Sequence, residues 1–341
     1  MNARAIVVAS IVWTISCSQA FGWGYEGHEL VGSIADQLLD PQAKQQVKTI
    51  LGFELRVAGP WADCVRSVVR HSDGAFRYEP SRPEYRIPCT SFETPKETAR
   101  MEDYVSRNWS NCAVEKGHGC DESYHFTDVA IQHDRYDRAY AGTSNHDVVS
   151  AINAAIMILR DQPAPAPFSI RDKKEALFLL AHFVGDLHQP VHVGAIYLDR
   201  SGRPVNPDEG GSFDPATETA GGNFILKQVS RACTGANLHA EWDAIPKSLG
   251  TIATPEMVRR AREVPPTAGE VGDFAVVWAS DTVIASHSAF SGVSFTGACK
   301  GHWLIHFANR QTYVKDENVL KQWQLAKAGA RLAQLLNTIW P

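Results

Sequence analysis

The segment HFVGDLHQPVH, residues 182–192, constrains the fold most strongly, because ionisable side chains interrupt an otherwise apolar helical pattern. His182 and Asp186 stand four residues apart, so a helix would bring the imidazole and the carboxylate onto one face. Pro190 ends or kinks such a helix, and His192 can then turn back towards the same region. A carboxylate buried without a partner is costly. The pattern therefore predicts a bound cation in preference to a plain apolar core.

Four further segments carry the same types of ligand, and each is a weaker signal on its own. They are NLHAEWD with His239 and Asp243, SYHFTD with His125, WADCVR with Asp63, and WGYEGHELV with His28. In the first of them the histidine and the aspartate again share one face of a predicted helix. Together with residues 182–192 they offer five histidines and three aspartates. That mixture of imidazole and carboxylate is typical of zinc sites and not of calcium or magnesium sites.

The remaining histidines are assigned no role in metal binding. His188 lies only two residues from Asp186, so its side chain is expected to point away from the shared face. His302 and His306, in HWLIH, lack the internal glutamate of a metalloprotease HExxH motif. We interpret these two histidines as structural.

The first 22 residues have the pattern of a secretory signal peptide. Arg4 provides a weak positive charge, an apolar run extends over residues 5–15, and small residues follow. Cleavage before Phe21 and cleavage before Trp23 both satisfy the small-residue rule, and we favour Trp23. Lipidation at Cys17 and an ordinary N-terminal helix are less favoured alternatives. The chain is therefore expected to be secreted or periplasmic.

The cysteine count supports export. Seven cysteines are an odd number, but loss of residues 1–22 removes Cys17 and leaves six. An even number is typical of disulfides in an oxidising compartment, although six cysteines allow fifteen connectivities. Cys112 and Cys120 flank the short loop CAVEKGHGC and form the best local pair. None of the six has CxxC spacing, which disfavours a thiolate zinc site.

Apolar residues recur at helical spacing over much of the remaining chain. They predict helices around residues 30–39, 41–50, 145–159, 171–188, 272–289 and 316–339, with Asp40 and Asn145 as N-caps, and a strand at 224–229. The predicted architecture is mainly α: a single compact helical domain over residues 23–341 with long loops and minor β structure. No apolar run after residue 22 reaches the length of a membrane span, so no membrane anchor is expected.

The charge of the chain limits how it can bind nucleic acid. A net charge of −5 without a long basic run argues against a protein that binds a duplex over a wide surface. It does not exclude a phosphate bound at a compact metal site, because bound cations supply positive charge locally.

The motifs WGxxGH, WAD, YHFxD, HFxGDxHQPxH, GGN and NLHxxWD, in this order, resemble those of the zinc-dependent single-strand nucleases of the fungal and plant nuclease I type, also called 3′-nucleotidases. The bacterial zinc-dependent phospholipases C are more distant relatives with a similar site. The resemblance extends from Trp23 to the C-terminal helix. It implies a mainly helical single domain with three zinc ions at the bottom of a cleft.

By this resemblance the ligands divide into three sets. The first zinc would be bound by Asp63, His125, His182 and Asp186, the second by the amine and carbonyl of Trp23 with His28 and Asp186, and the third by His192, His239 and Asp243. Asp186 would bridge the first two ions. Because an amine binds zinc only when it is free and deprotonated, the second site depends on cleavage before Trp23.

The resemblance also implies an activity and a substrate. We expect a monomeric endonuclease that hydrolyses single-stranded RNA and DNA to 5′-phosphorylated products and dephosphorylates 3′-nucleotides. Asp63 would act as the base that orients the attacking water, and Arg66 would stabilise charge on the phosphate. Phe126 is the expected base-stacking face, and Asp128 is the expected acceptor of hydrogen bonds from a base edge.

Two other functions fit part of the pattern. A zinc-dependent phospholipase C would use the same metal chemistry, but relatives of that type carry glutamate where this chain has Asp243, which favours the nuclease. A non-catalytic protein stabilised by zinc would take up the metal without turnover. The complete ligand set and Arg66 argue against that second alternative.

Overall fold

The computed structural model describes residues 23–80, 86–114, 117–210, 214–227, 233 and 235–341. The predicted signal peptide, residues 1–22, lies outside these ranges. The α-helices are α1 (Tyr25–Asp36), α2 (Pro41–Leu51), α3 (Leu55–Ala58), α4 (Trp61–Cys64), α5 (Arg86–Cys89), α6 (Pro95–Asn108), α7 (Val148–Leu159), α8 (Lys173–Asp186), α9 (Leu238–Asp243), α10 (Pro255–Arg262), α11 (Phe274–Phe290) and α12 (Arg310–Ile339). The prediction of a mainly α protein is confirmed.

The β-strands are short and form small sheets of two or three strands. They are β1 (Val68–Arg70), β2 (Phe76–Tyr78), β3 (Val129–Ala130), β4 (Gly194–Ala195), β5 (Tyr197–Leu198), β6 (Pro204–Val205), β7 (Ile225–Leu226), β8 (Val293–Cys299) and β9 (His302–Phe307). Strands β1 and β2 pair antiparallel, as do β5 and β6, whereas β3 and β4 pair parallel. The three-stranded sheet has the order β7-β9-β8, and β7 lies inside the predicted strand at 224–229.

Helix α8 lies at the centre of the molecule. Every residue from Glu175 to Asp186 is buried, and α8 contacts α1, α3, α4, α7 and α12. Because other helices cover several of its faces, α8 is apolar almost all round and has no exposed polar stripe. His182 and Asp186 therefore point into the interior of the protein, where polar groups need partners.

The start of α7 differs from the prediction. Asp147, and not Asn145, is the N-cap, because its carboxylate accepts a hydrogen bond from Ser150 N at 2.9 Å. The Asn145 side chain instead forms a hydrogen bond of 2.9 Å with His146 Nδ1. Both residues are good N-cap types, so sequence alone does not decide between them.

Three disulfides join the cysteines that remain after Cys17. The pairs are Cys64–Cys89, Cys112–Cys120 and Cys233–Cys299. The predicted pair Cys112–Cys120 is confirmed. Cys64 directly follows Asp63, so its disulfide ties the short helix α4 to α5 next to a predicted site residue. Within the described ranges, no helix is both long and apolar enough to cross a membrane.

Candidate metal centre

Eight buried histidine and aspartate side chains converge at one place in the fold. They are His28 of α1, Asp63 of α4, His125 at the end of the turn Cys120–His125, His182 and Asp186 of α8, His192 at the end of the turn Pro190–His192, and His239 and Asp243 of α9. These are the histidines and aspartates that the motifs single out. Residues far apart in the sequence meet here because α8 carries His182 and Asp186 into the middle of the helical body.

Asp186 occupies the centre of this cluster. Its Oδ2 atom lies 3.0 Å from His125 Nδ1 and 3.1 Å from His182 Nε2. Its Oδ1 atom lies 3.5 Å from His28 Nε2 and 3.8 Å from His192 Nδ1. One carboxylate thus faces four imidazoles from four different segments, which is the arrangement expected of a bridging ligand.

Three groups of side chains bring ligand atoms close enough together to share an ion. The groups are His28, Asp63 and His182; His125, His182 and Asp186; and His192, His239 and Asp243. The third group has the same members as the third predicted set. The first two groups differ from the predicted sets, because Asp63 lies with His28 and not with His125. The Asp63 Oδ1 atom lies 3.9 Å from His182 Nε2. Asp63 therefore lies between the first two predicted sites.

In the third group two imidazole nitrogens face each other. His192 Nε2 and His239 Nε2 are 2.9 Å apart. Asp243 Oδ1 lies 3.6 Å from the His239 nitrogen and 3.9 Å from the His192 nitrogen. Gln189 Nε2 donates a hydrogen bond of 2.7 Å to the same carboxylate oxygen and so fixes its direction.

Backbone carbonyls set the orientation of three of the imidazoles. The Nδ1 atoms of His182, His192 and His239 donate to Gly59 O at 2.8 Å, His125 O at 2.9 Å and Gly221 O at 2.9 Å, respectively. In each neutral ring Nδ1 then carries the proton and Nε2 carries a lone pair that faces the cluster. Histidines that bind metal ions are typically oriented in this way.

Several polar atoms of the cluster have no hydrogen-bond partner among the described residues. They are both ring nitrogens of His28, both carboxylate oxygens of Asp63, and Oδ1 of Asp186. A buried polar atom left unsatisfied costs about 1–3 kcal/mol. Cations bound between these groups would satisfy the atoms that face them. The residues present thus fit a metal centre with imidazole and carboxylate ligands.

Burial and neighbouring charges favour the metal-binding form of His28 and His239 and the protonated form of Asp243. Burial lowers the pKa of His28 well below its usual value, and the neighbouring His182 lowers it further. Burial, followed by His192, has the same effect on the pKa of His239. Neutral imidazole is the form that binds a metal ion. Burial also raises the pKa of Asp243 well above its usual value, and a bound cation would oppose this by stabilising the carboxylate.

The first described residue, Trp23, packs close to the cluster. Its side chain is fully buried, and Gly24 N donates a hydrogen bond of 2.9 Å to Asp243 O. Gly185 leaves room for this packing, since a Cβ atom there would lie 2.9 Å from His28 Nδ1 and 3.7 Å from Trp23 Cδ1. The start of the described chain is therefore held between α8 and α9. The role of the Trp23 amine as a ligand stays a prediction.

The chain matches the family model described as S1/P1 Nuclease over residues 23–341. It belongs to the S1/P1 nuclease family. Two plant proteins are similar over almost their whole length. Arabidopsis thaliana Endonuclease 2 is 26% identical over 99% of this chain and 97% of its own length. Endonuclease 4 of the same plant is 24% identical over 99% of this chain and 94% of its own length. The predicted family is confirmed.

A cleft of about 400 Å³ opens beside the cluster of this S1/P1 nuclease. Its lining includes His125, His192, His239, Arg66, Phe126 and Asp128. Arg66 is half-buried in the turn Val65–Ser67, directly after the helix that carries Asp63. The cleft therefore brings together histidines of the metal centre and three residues predicted to act on the substrate.

Phe126 and Asp128 contribute differently to the nuclease cleft. Phe126 directly follows His125, and 40% of its surface is exposed, so one aromatic surface remains accessible. Asp128 is buried, and burial together with nearby Glu218 raises its pKa to about 8. The raised pKa favours the protonated carboxyl, which can donate a hydrogen bond as well as accept one. The residue type alone predicted only an acceptor.

The nuclease site also contains two motif residues, Gln189 of HFxGDxHQPxH and Gly221 of GGN, that were not predicted to bind metal or substrate. The position of Gln189 inside HQPVH was the available signal for its role. Gly221 has a φ of +56°, a backbone conformation that favours glycine, and a Cβ atom there would lie 2.2 Å from Val191 O. Its carbonyl oxygen can therefore come close enough to orient His239.

The prediction that His188 lies apart from the cluster is confirmed. Its Nδ1 atom donates to Val184 O at 2.7 Å. Its Nε2 atom accepts a hydrogen bond of 3.0 Å from Arg331 Nη1 of α12. Both ring nitrogens are thus committed to structural bonds away from the metal-site residues.

Proposed function

We propose that this nuclease is a secreted phosphodiesterase with three zinc ions, which hydrolyses single-stranded RNA and DNA to 5′-phosphorylated products and dephosphorylates 3′-nucleotides. The observation that carries the proposal is the pair of inward-facing Nε2 atoms of His192 and His239, 2.9 Å apart, in the same cluster as carboxylate oxygens of Asp63 and Asp186 that lack hydrogen-bond partners in the described part of the chain. The nitrogen-rich ligand set supports zinc over calcium or magnesium.

The proposed ligands are distributed over three zinc sites. Asp63, His125, His182 and Asp186 would bind the first ion, His28 and Asp186 with the amine and carbonyl of Trp23 the second, and His192, His239 and Asp243 the third. Bound zinc supplies Lewis acidity and positive charge, which make water a better nucleophile near neutral pH and offset negative charge on phosphate. The packing of Trp23 against Gly185 supports its membership of the second site.

Asp63 and Arg66 are the proposed catalytic side chains. Asp63 Oδ1 and Oδ2 make no hydrogen bonds to described residues, so a carboxylate oxygen is available to accept a proton from the attacking water. Arg66 lines the cleft directly beyond α4 and would donate hydrogen bonds to the phosphate oxygens as negative charge develops. Both side chains are held by the same short stretch, which the Cys64–Cys89 disulfide anchors.

The burial of the proposed ligands supports a single-stranded substrate. The scissile phosphate must reach buried side chains through a cleft of about 400 Å³, which fits a single strand better than a duplex. Phe126 presents an exposed ring next to the cluster, on which an unpaired base can stack. Asp128 lies two residues further along in the same cleft and would bond to the edge of that base. These two residues form the proposed base-binding site.

Secretion is supported by two observations. The described cysteines form three disulfides, which are typical of oxidising compartments. The family match begins at Trp23, the residue that we propose as the mature N-terminus of a domain over residues 23–341. All proposed ligands come from one chain, which is consistent with a monomer.

The decisive experiment combines metal analysis with a substrate panel. Purified secreted protein should contain about three zinc ions per chain by elemental analysis, on the ligand count above. It should hydrolyse single-stranded RNA, single-stranded DNA and 3′-AMP, and lose these activities after chelation. Phosphatidylcholine serves as the control substrate and should not be cleaved. One zinc ion or none, or preferential cleavage of phosphatidylcholine, would contradict the proposal.

A further inference from the structure

One buried lysine of α12 reaches the helix that carries two of the metal-site residues. Lys321 is only 3% exposed. Its Nζ atom donates hydrogen bonds to Glu241 O at 2.6 Å and to Ala244 O at 2.8 Å. The same atom lies 2.6 Å from Glu317 Oε1, one turn earlier on α12. The ammonium group thus donates two hydrogen bonds to backbone carbonyls and forms an ion pair with a carboxylate.

The two carbonyl groups belong to the C-terminal end of α9. The last carbonyls of a helix have no partner inside it, and a positive charge at that end is favourable. Helix α9 has only six residues, so its own hydrogen bonds cannot hold it in place. At its other end the Asn237 side chain accepts a hydrogen bond of 2.7 Å from Ala240 N. Lys321 is the corresponding support at the C-terminal end.

This end of α9 determines the position of two other groups. Asp243 is its last residue and belongs to the third group with His192 and His239. The carbonyl of Asp243 accepts the hydrogen bond from Gly24 N that fixes the start of the described chain. The carbonyls bound by Lys321 lie two residues before and one residue after Asp243, so a change in their position would move the carboxylate.

We propose that Lys321 is a positioning residue for the third metal site, holding the last turn of α9 so that His239 and Asp243 stay in place to bind an ion. This inference rests on the proposed binding of zinc. The role requires a charged donor and not only bulk, because an apolar side chain would leave two buried carbonyl groups without their donor. Groups that orient the ligands of a metal ion typically affect its affinity by about 10- to 100-fold.

Helices α9 and α12 are also joined by a hydrogen bond in which the lysine takes no part. Trp242 Nε1 donates a hydrogen bond of 2.9 Å to Tyr313 Oη, which in turn donates to Ala289 O at 2.7 Å. Removal of the lysine ammonium therefore leaves the two helices packed together. The expected result of a substitution is a shift within α9 and not loss of the fold.

The test is Lys321→Met in the full-length mature protein, with zinc affinity measured by chelator competition. One of three zinc ions should bind about 10- to 100-fold more weakly, and the other two should be unaffected. The double variant Glu317→Gln/Lys321→Met removes the carboxylate that would otherwise be buried without its partner, and it should show the same weakened site. Lys327→Met is the matched control on the same helix, because Lys327 Nζ binds Asp281 Oδ2 at 2.8 Å, away from α9.

The outcomes separate this inference from the proposed function. Wild-type protein that binds no zinc would overturn both. Three ions bound with wild-type affinity by Lys321→Met and by the double variant would overturn the inference alone. A lower melting temperature of the metal-free variants with unchanged zinc affinity would show a merely structural lysine and would also overturn it.

Discussion

His192 and His239 face each other through Nε2 atoms that are 2.9 Å apart, while backbone carbonyls bind the Nδ1 atoms of both rings. Two neutral imidazoles in this state direct lone pairs at each other, so the space between them favours a cation. The carboxylate of Asp63 also has unused acceptor atoms, since neither of its oxygens has a hydrogen-bond partner among the described residues. Each buried polar group without a partner costs about 1–3 kcal/mol of folding free energy. A cation bound between these groups would therefore stabilise the fold.

Removal of the proposed zinc ions is therefore expected to destabilise the protein. Binding to the folded state alone stabilises it in proportion to the logarithm of ligand concentration. Dialysis against a chelator should lower the melting temperature in calorimetry by at least about 5 °C. Added zinc should restore it, whereas the same concentration of magnesium should not. A melting temperature that does not respond to the chelator would contradict a metal centre.

Asp63→Asn is expected to keep the fold and abolish most of the turnover. The amide has nearly the same size as the carboxylate but is a poor proton acceptor, and general-base catalysis contributes about 100- to 10,000-fold. The kcat on single-stranded DNA should fall by at least about 100-fold, with an unchanged circular dichroism spectrum. Zinc content measured alongside distinguishes loss of the base from loss of metal. Asp73→Asn, in the exposed turn between β1 and β2, is the control, and turnover like that of the control would remove the proposed role of Asp63.

Gly185→Ala is expected to displace His28. The added Cβ atom would lie 2.9 Å from His28 Nδ1 inside a closely packed interior, and overpacking of this kind costs about 1–3 kcal/mol. Urea unfolding should show that loss, and one zinc ion should bind more weakly. At Gly272 an added Cβ atom would meet no atom within 4 Å, so Gly272→Ala is the matched control. Equal behaviour of the two variants would show that the contact at Gly185 is unimportant.

The ligand residues could be predicted because their chemistry repeats at spacings that local structure explains. His182 and Asp186 share one face of a helix, and so do His239 and Asp243, independently of how the helices pack together. Local spacing does not show which ion Asp63 binds, because Asp63 reaches the cluster from a different segment and lies between two predicted sites. That position depends on how α4 packs against α8, which no local pattern encodes.

Other features depend on contacts between residues distant in sequence. Lys321 meets Glu241 across 80 positions of the chain, and nothing in the sequence around either residue indicates the contact. The segment HWLIH forms β9, which pairs with β7 and β8, so its two histidines lie on a strand. The choice between Asn145 and Asp147 as an N-cap was also made by tertiary structure. Asp147 additionally accepts a hydrogen bond from Tyr136 Oη at 2.7 Å.

Asp128→Asn is expected to change how stability depends on pH. Burial, with Glu218 nearby, raises the pKa of Asp128 from 3.8 to about 8. Between these values the folded protein keeps a proton that the unfolded chain has released, so this group makes stability fall as pH rises. Below this range both states are protonated, and above it both are ionised.

Urea unfolding of the wild type and of Asp128→Asn, from about pH 5 to about pH 9 at fixed excess zinc, measures this effect. The stability of the variant relative to the wild type should increase with pH and level off above about pH 8. The proposed metal ligands are the same in both proteins, so their contribution cancels in the difference. Parallel curves for the two proteins would show that Asp128 does not hold a proton in the folded state.

Phe126→Ala is expected to weaken binding of substrates that carry bases. Phe126 lines the cleft and is 40% exposed, and stacking of one base on an aromatic ring is worth about 1–3 kcal/mol. The KM for a single-stranded oligonucleotide should therefore rise by about 5- to 150-fold. Bis(p-nitrophenyl) phosphate carries no nucleobase, so its kcat/KM should change little. Trp323→Ala is the control, because Trp323 is similarly exposed, at 36%, but lies on α12 and outside the cleft. If both variants keep the wild-type KM for the oligonucleotide, the base binds elsewhere.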